Sequence, residues 1–231
     1  MLRKYNNVFI TGDLHLGDVG FCHEGKLVQA IKERQPELIV FGGDTFDPWR
    51  GYSAEELMVK YSELFLFLKN LSSRVVFLRG NHDQDIDFLK KLGFSVARKF
   101  KYISGAGQRV KIMHGHEFDK DCQRFEFLTR KFVYLEEKVN RLLSVLKQDK
   151  IFRAINLLGN IDLARVIDNF QKQIRYYTKT DVLIFGHMHV PLIGKKKNIE
   201  FYNWGGWQND LGLKPGFIVN RGDRIDFKQL C

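Results

Sequence analysis

Runs of β-branched and aromatic residues recur along the chain, in NVFITGD, ELIVFGGD, RVVFLRGNHD, RVKIMHGH and DVLIFGHMH, and each closes on glycine with an acid or a histidine. Each apolar run is too short for an independent helix and stops at a turn residue, so the pattern predicts buried strands. The stretches between them follow helical spacing. Ser53 stands three residues before Glu56, a capping box, and Leu57, Tyr61, Leu64, Phe65 and Leu68 continue on one stripe. Strands alternating with helices indicate an α/β fold whose first strands are largely parallel.

From Lys120 to Lys179 the periodicity becomes helical throughout, in FEFLTRKFVYLEEKVNRLLSVLKQ and IFRAINLLGNIDLARVIDNFQKQIRYY, with no strand-end motif. This predicts a helical insertion, residues 120–179, within a single domain spanning 1–231. The strand pattern returns at Val182, and IEFYNW, GFIVN and RIDFKQL read as an antiparallel set with turns at Gly205, Gly206 and Arg221 to Asp223. No internal repeat or low-complexity linker interrupts the chain.

With 231 residues, 44% of them hydrophobic, the chain has material for one sizeable core, and most of its 20 phenylalanines belong there. Cys22, Cys122 and Cys231 are odd in number, widely spaced and without a CxxC pair, which suggests neither a disulfide framework nor a thiolate zinc site and fits a reducing cytoplasm. The N-terminal MLRKYNNVFITGD turns polar too early for a signal peptide, and no run spans a bilayer, so the expected protein is cytoplasmic, at most peripheral to a membrane. A formal net charge of +10 favours anionic partners: phosphorylated small molecules, nucleic acid or an acidic lipid surface. The basic run GKKKN, residues 194–198, reads as a solvated turn tip.

The chemistry lies at the strand ends. Asp13 and His15, Asp44, Asn81 with His82 and Asp83, His114, and His187 with His189 all follow apolar runs, and loops leaving the carboxyl ends of neighbouring strands converge on one crevice. Burying so many polar groups singly would be costly, so they call for a shared positive charge. Mixed carboxylate, imidazole and amide donors suit manganese, iron, zinc, nickel or cobalt better than calcium. Seven candidate ligands exceed the needs of one ion. Two ions about 3.5 to 4 Å apart, bridged by one carboxylate, would use them all and form the clamp of phosphoester hydrolysis, with a bridging hydroxide as nucleophile.

The ordered pattern D-x-H, G-D, G-N-H-D, H and G-H-x-H resembles the calcineurin-like metallophosphoesterases over Val8 to His189. The resemblance implies a β-sandwich flanked by helices, with two metals, most often manganese, at one sheet edge. It implies that Asp13, His15 and His189 bind one ion, that Asn81, His114 and His187 bind the other, and that Asp44 bridges them. His82 would act as general acid to the leaving oxygen, and Asp83 would orient His82.

FGGDTFDPW, HGHEFD, the helical insertion, GHMHVP and the WGGW turn resemble the branch of UDP-2,3-diacylglucosamine pyrophosphatases. In that branch insertion helices shelter acyl chains, a pocket that Phe125, Phe127, Leu128, Phe132, Leu135 and Leu142 could line here. The branch has arginine where this chain has His82 and aspartate where it has His116, which makes His116 a candidate substrate or metal-shell group. Arg124, Arg130 and Lys131, at the start of the insertion, are candidate phosphate contacts by position. Other functions on the same residues are a metal-dependent nuclease, a cyclic nucleotide phosphodiesterase and a non-catalytic scaffold.

Overall fold

The computed structural model describes residues 2–17, 21, 23–48, 52–83, 85–120, 163–207 and 214–230. The expected strands form, and they sort into two sheets. Four parallel strands open the first: β1 (Asn7–Thr11), β2 (Leu38–Phe41), β3 (Arg74–Leu78) and β4 (Ser95–Ala97). The second contains β5 (Lys99–Ile103), β6 (Arg109–Met113), β7 (Val182–Phe185), β8 (Leu192–Lys196) and β9 (Ile199–Asn203), in the order β5-β6-β7-β9-β8. The first sheet is completed by the hairpin of β10 (Gly216–Arg221) and β11 (Arg224–Gln229), with β10 antiparallel to β1.

Period-two alternation within each apolar run explains why the runs lack polar positions. Val8 and Ile10, Leu38 and Val40, and Val76 and Leu78 face Val110, Ile112, Val182 and Ile184 across the space between the sheets. The intervening Phe9, Ile39, Phe41 and Phe77 face outward, under α1 (Glu24–Arg34), α2 (Ala54–Lys60) and α3 (Ser62–Lys69). Both faces are buried, so every position is apolar. The Ser53–Glu56 capping box starts α2, and the expected single stripe is divided between α2 and α3 at Tyr61. A short helix, α4 (Phe88–Lys91), leads into β4.

One expectation about topology is corrected. IEFYNW does not join the last two strands: it forms β9, parallel to β7 in the second sheet, while β10 and β11 belong to the first. The chain passes between sheets through the turn after β9, where Gly205 has φ 77°. GKKKN is in large part the end of β8, with only Lys197 and Asn198 making the turn into β9.

Of the expected insertion, α5 (Leu163–Gln173) and a 3-10 turn at Ile174–Tyr176 are described. Val166, Phe170 and Ile174, four residues apart, bury one stripe against Phe118, Leu183 and Phe185 on the outer face of the second sheet. The expected acyl pocket at Phe125, Phe127, Leu128, Phe132, Leu135 and Leu142 lies outside the described residues. Among the described residues no helix is long and apolar enough to cross a membrane.

Candidate metal centre

All the strand-end loops meet at one edge of the sandwich, and the backbone there is unusual. Asp13, His15, Asp44, His187 and His189 have φ between 48° and 72°, the left-handed region that side chains with a Cβ seldom adopt. Such strain persists where surrounding structure over-determines it, and it gathers at functional sites. The over-determining element is Trp204, fully buried at the end of β9. Its indole fills the space beside Gly12, Gly42 and Gly186, where any Cβ would collide with the ring. The glycines preceding Asp13, Gly43 and His187 are therefore required by close approach to Trp204.

Trp204 Nε1 also donates to Asp13 Oδ2 (2.7 Å), which accepts the backbone N–H of His187 as well (2.9 Å). That leaves Asp13 Oδ1 toward two imidazoles, 3.0 Å from His114 Nε2 and 3.7 Å from His189 Nε2. Asp44 Oδ2 lies 3.4 Å from His114 Nε2 and 3.8 Å from His15 Nε2. His15 Nε2 and His189 Nε2 approach to 3.2 Å.

Donor atoms of Asp13, His15 and His189, and separately those of Asp44, His114 and His187, lie within 4.8 Å of one another. The first trio contains the three residues expected for one ion. The second contains His114 and His187, expected for the other ion, together with Asp44, the carboxylate expected to bridge; Asn81 is not among its members. A third grouping, His15, Asp44 and His82, places His82 beside both. Asn81 is 4% exposed and its buried Oδ1 has no hydrogen-bond partner among the described residues, an expensive state that a cation would relieve. The residues present fit a pair of divalent ions.

Electrostatics reflect the crowding. Burial opposes the charge on His15 and His114, but their carboxylate neighbours outweigh it and raise both to about 9, with Asp47 acting on His15 and Asp44 and Asp13 on His114. Burial likewise opposes ionisation of Asp13, yet His114 holds its carboxyl below the usual range. Burial and neighbouring imidazoles push His116 and His189 down to about 4.

The expected role of Asp83 is corrected. Its carboxylate accepts the backbone N–H groups of Gly80 (2.8 Å), Asp44 (3.1 Å), Thr45 (2.6 Å) and Phe46 (3.4 Å), so it ties the GNHD loop to the GGD loop. Burial, reinforced by Asp44, pushes its pKa up to about 6. The group that holds His82 is Asp47, whose Oδ1 is 2.9 Å from His82 Nδ1. Asp47 Oδ2 also lies 3.5 Å from His15 Nδ1. The spacing D-x-x-D in GDTFD was the available signal for Asp47.

Two more residues escaped the sequence reading. Asp119 Oδ2 is 3.1 Å from His187 Nε2, and Trp204 positions Asp13 as described. His116 Nδ1 sits 3.0 Å from His114 Nδ1, which places it beside the candidate metal ligands. Arg124, Arg130 and Lys131 lie outside the described residues.

Comparison with known proteins agrees with this geometry. The calcineurin-like phosphoesterase family profile matches residues 7–191. A UDP-2,3-diacylglucosamine hydrolase from Histophilus somni (strain 129Pt) is 24% identical over 200 residues, 78% of this chain and 83% of the relative. One of the same name from Wigglesworthia glossinidia brevipalpis is 26% identical over 175 residues, 69% of this chain and 68% of the relative. Among solved structures, one described as a novel archaeal phosphodiesterase superimposes with a TM-score of 0.55 at 14% identity, covering 97% of this chain and 99% of its own, a likeness of fold.

Proposed function

The chain belongs to the calcineurin-like phosphoesterase family, and on that footing we propose that it is a dinuclear-metal hydrolase acting on a phosphodiester or pyrophosphate bond of a nucleotide-linked lipid or sugar such as UDP-2,3-diacylglucosamine. Family and relatives make it a phosphoester hydrolase, a class that uses divalent metals. The finer reading is supported by one observation above others: two ligand trios converge at one sheet edge, with Asp44 within 4 Å of His15 on one side and His114 on the other.

In this reading Asp13, His15 and His189 hold one ion, and Asn81, His114 and His187 hold the second, with Asp44 shared. Manganese is the first choice. When bound, the ions supply an acidified water and offset charge on the phosphoryl oxygens. The protein's part is orientation and proton supply. Trp204 and the His187 amide fix Asp13, and Asp119 fixes His187 through Nε2, which leaves Nδ1 as its ligand atom. His114 and His116 share one proton between their Nδ1 atoms, which leaves His114 Nε2 facing the carboxylates. His82, with Nδ1 engaged by Asp47, passes a proton from Nε2 to the leaving oxygen.

The substrate reading rests on the names of relatives of low identity, and it has a direct test. Manganese-dependent hydrolysis of UDP-2,3-diacylglucosamine is measured beside bis-p-nitrophenyl phosphate, with Asp44→Asn as the blank. Release of UMP supports the nucleotide-linked lipid, whereas turnover of the chromogenic diester alone removes that substrate and keeps the metal chemistry.

A further inference from the structure

At the opposite end of the first sheet, the strands begin beside a cleft of about 930 Å³. Arg3, Lys4 and Tyr5 precede β1, Pro36 and Glu37 precede β2, Ser73 precedes β3 and Arg74 opens it, whereas the candidate metal centre follows the far ends of these strands. Arg3, Lys4, Arg74 and Lys32 from α1 bring four cations to the cleft against one carboxylate, Glu37. One oxygen of Glu37 already accepts the Asn6 N–H at 3.1 Å.

The cleft cations differ from the ion-paired cations of the fold in what holds them, as do Lys60, Lys111 and Arg175, each over a tyrosine ring. Arg79 pairs with Asp87 and Arg109 with Asp181, each at 2.6 Å. Among the described residues none of the four cleft cations makes an ion pair. Aromatic rings hold three of them instead. Arg3 lies 5.2 Å over the Tyr5 ring, Arg74 lies 5.4 Å over Phe100 and donates to the Tyr5 hydroxyl at 3.2 Å, and Lys32 lies 5.4 Å over Phe67. Ring contacts orient a cation while leaving its charge unneutralised. Lys32 also complements the C-terminal end of α1, but that accounts for one of the four.

Size and charge bear on the class of ligand. The cleft is open, and its volume lies within the size range of small-molecule sites, enough for a compact polyanion. Arginine forks favour phosphate oxygens. We propose that this cleft binds a phosphorylated small molecule carrying at least two negative charges, at a site separate from the metal centre.

The test is calorimetric titration of inorganic pyrophosphate into the manganese-loaded protein, into Asp44→Asn, and into the double variant Arg3→Gln/Arg74→Gln. The expected result is a binding event that persists in Asp44→Asn, weakens about tenfold for each cation removed, and leaves diester turnover by the double variant unchanged. Should the double variant lose stability through its ring contacts, Lys4→Gln/Lys32→Gln is titrated in its place, with the same expectation. Loss of all pyrophosphate binding in Asp44→Asn, or undiminished binding outside the metal centre in the folded cleft variant, would overturn the proposal.

Discussion

Asp47 Oδ1 stands 2.9 Å from His82 Nδ1, while Asp83, the next residue after His82, turns its carboxylate to backbone amides of the neighbouring loop. The two acids divide the work of the site. Asp47 holds His82, the proposed proton donor, and Asp83 holds together the two loops that carry candidate ligands.

Exchange of each acid for its amide separates those roles. Asp47→Asn is expected to lower kcat about 10- to 100-fold and to alter the pH–rate profile, since the imidazole loses its carboxylate partner. Asp83→Asn replaces an acceptor of four N–H groups, and its main expected effect is on stability, about 1 to 3 kcal/mol in chemical denaturation. Equal stability losses with no difference in pH profile would show that both acids are structural.

Trp204→Phe keeps most of the apolar body but removes the N–H that holds Asp13 Oδ2. Manganese affinity is expected to fall about 10- to 100-fold with the fold intact by circular dichroism. Gly42→Ala drives a methyl group into the indole and is expected to impair folding.

Asp119 Oδ2 reaches Nε2 of His187, a candidate ligand of one ion. Asp119→Asn is expected to weaken one of two manganese sites by about 10- to 100-fold and spare the other, seen as a split in a metal titration. A parallel loss at both sites would mean that Asp119 supports the whole edge.

At the sandwich surface, the side-chain and backbone hydrogen bonds from Arg109 hold the Asp181 carboxyl down at about 2, against an ordinary 3.8. A depressed acid contributes stability above its unfolded pKa and loses it as pH falls through the folded value. The denaturation midpoints of the parent and Asp181→Asn are therefore expected to differ modestly at neutral pH and to converge as pH falls from about 4 to 2. A constant difference down to pH 2 would assign the effect to packing.

Much of this site is legible in the sequence because strands buried on both faces read as unbroken apolar runs, and their ends mark where ligands gather. Asp13, His15, Asp44, His114, His187 and His189 come together for that reason. Periodicity gives the faces of a strand but not its partner, which is why β9 was expected beside β10 rather than β7. Adjacency in sequence also misled at Asp83, since a tight turn sends neighbouring side chains apart while Asp47, three residues after Asp44, comes from another loop to meet His82. Trp204 gave no chemical signal at all, and its role rests on the space left by distant glycines.

The central claim, a two-metal phosphoesterase joined through Asp44, is tested most directly by metal stoichiometry measured together with bis-p-nitrophenyl phosphate hydrolysis in the parent and Asp44→Asn. The account expects about two manganese ions per chain with turnover in the parent, and loss of both ions and of activity in the variant. Undiminished turnover by Asp44→Asn, or by the chelator-treated parent, would contradict it.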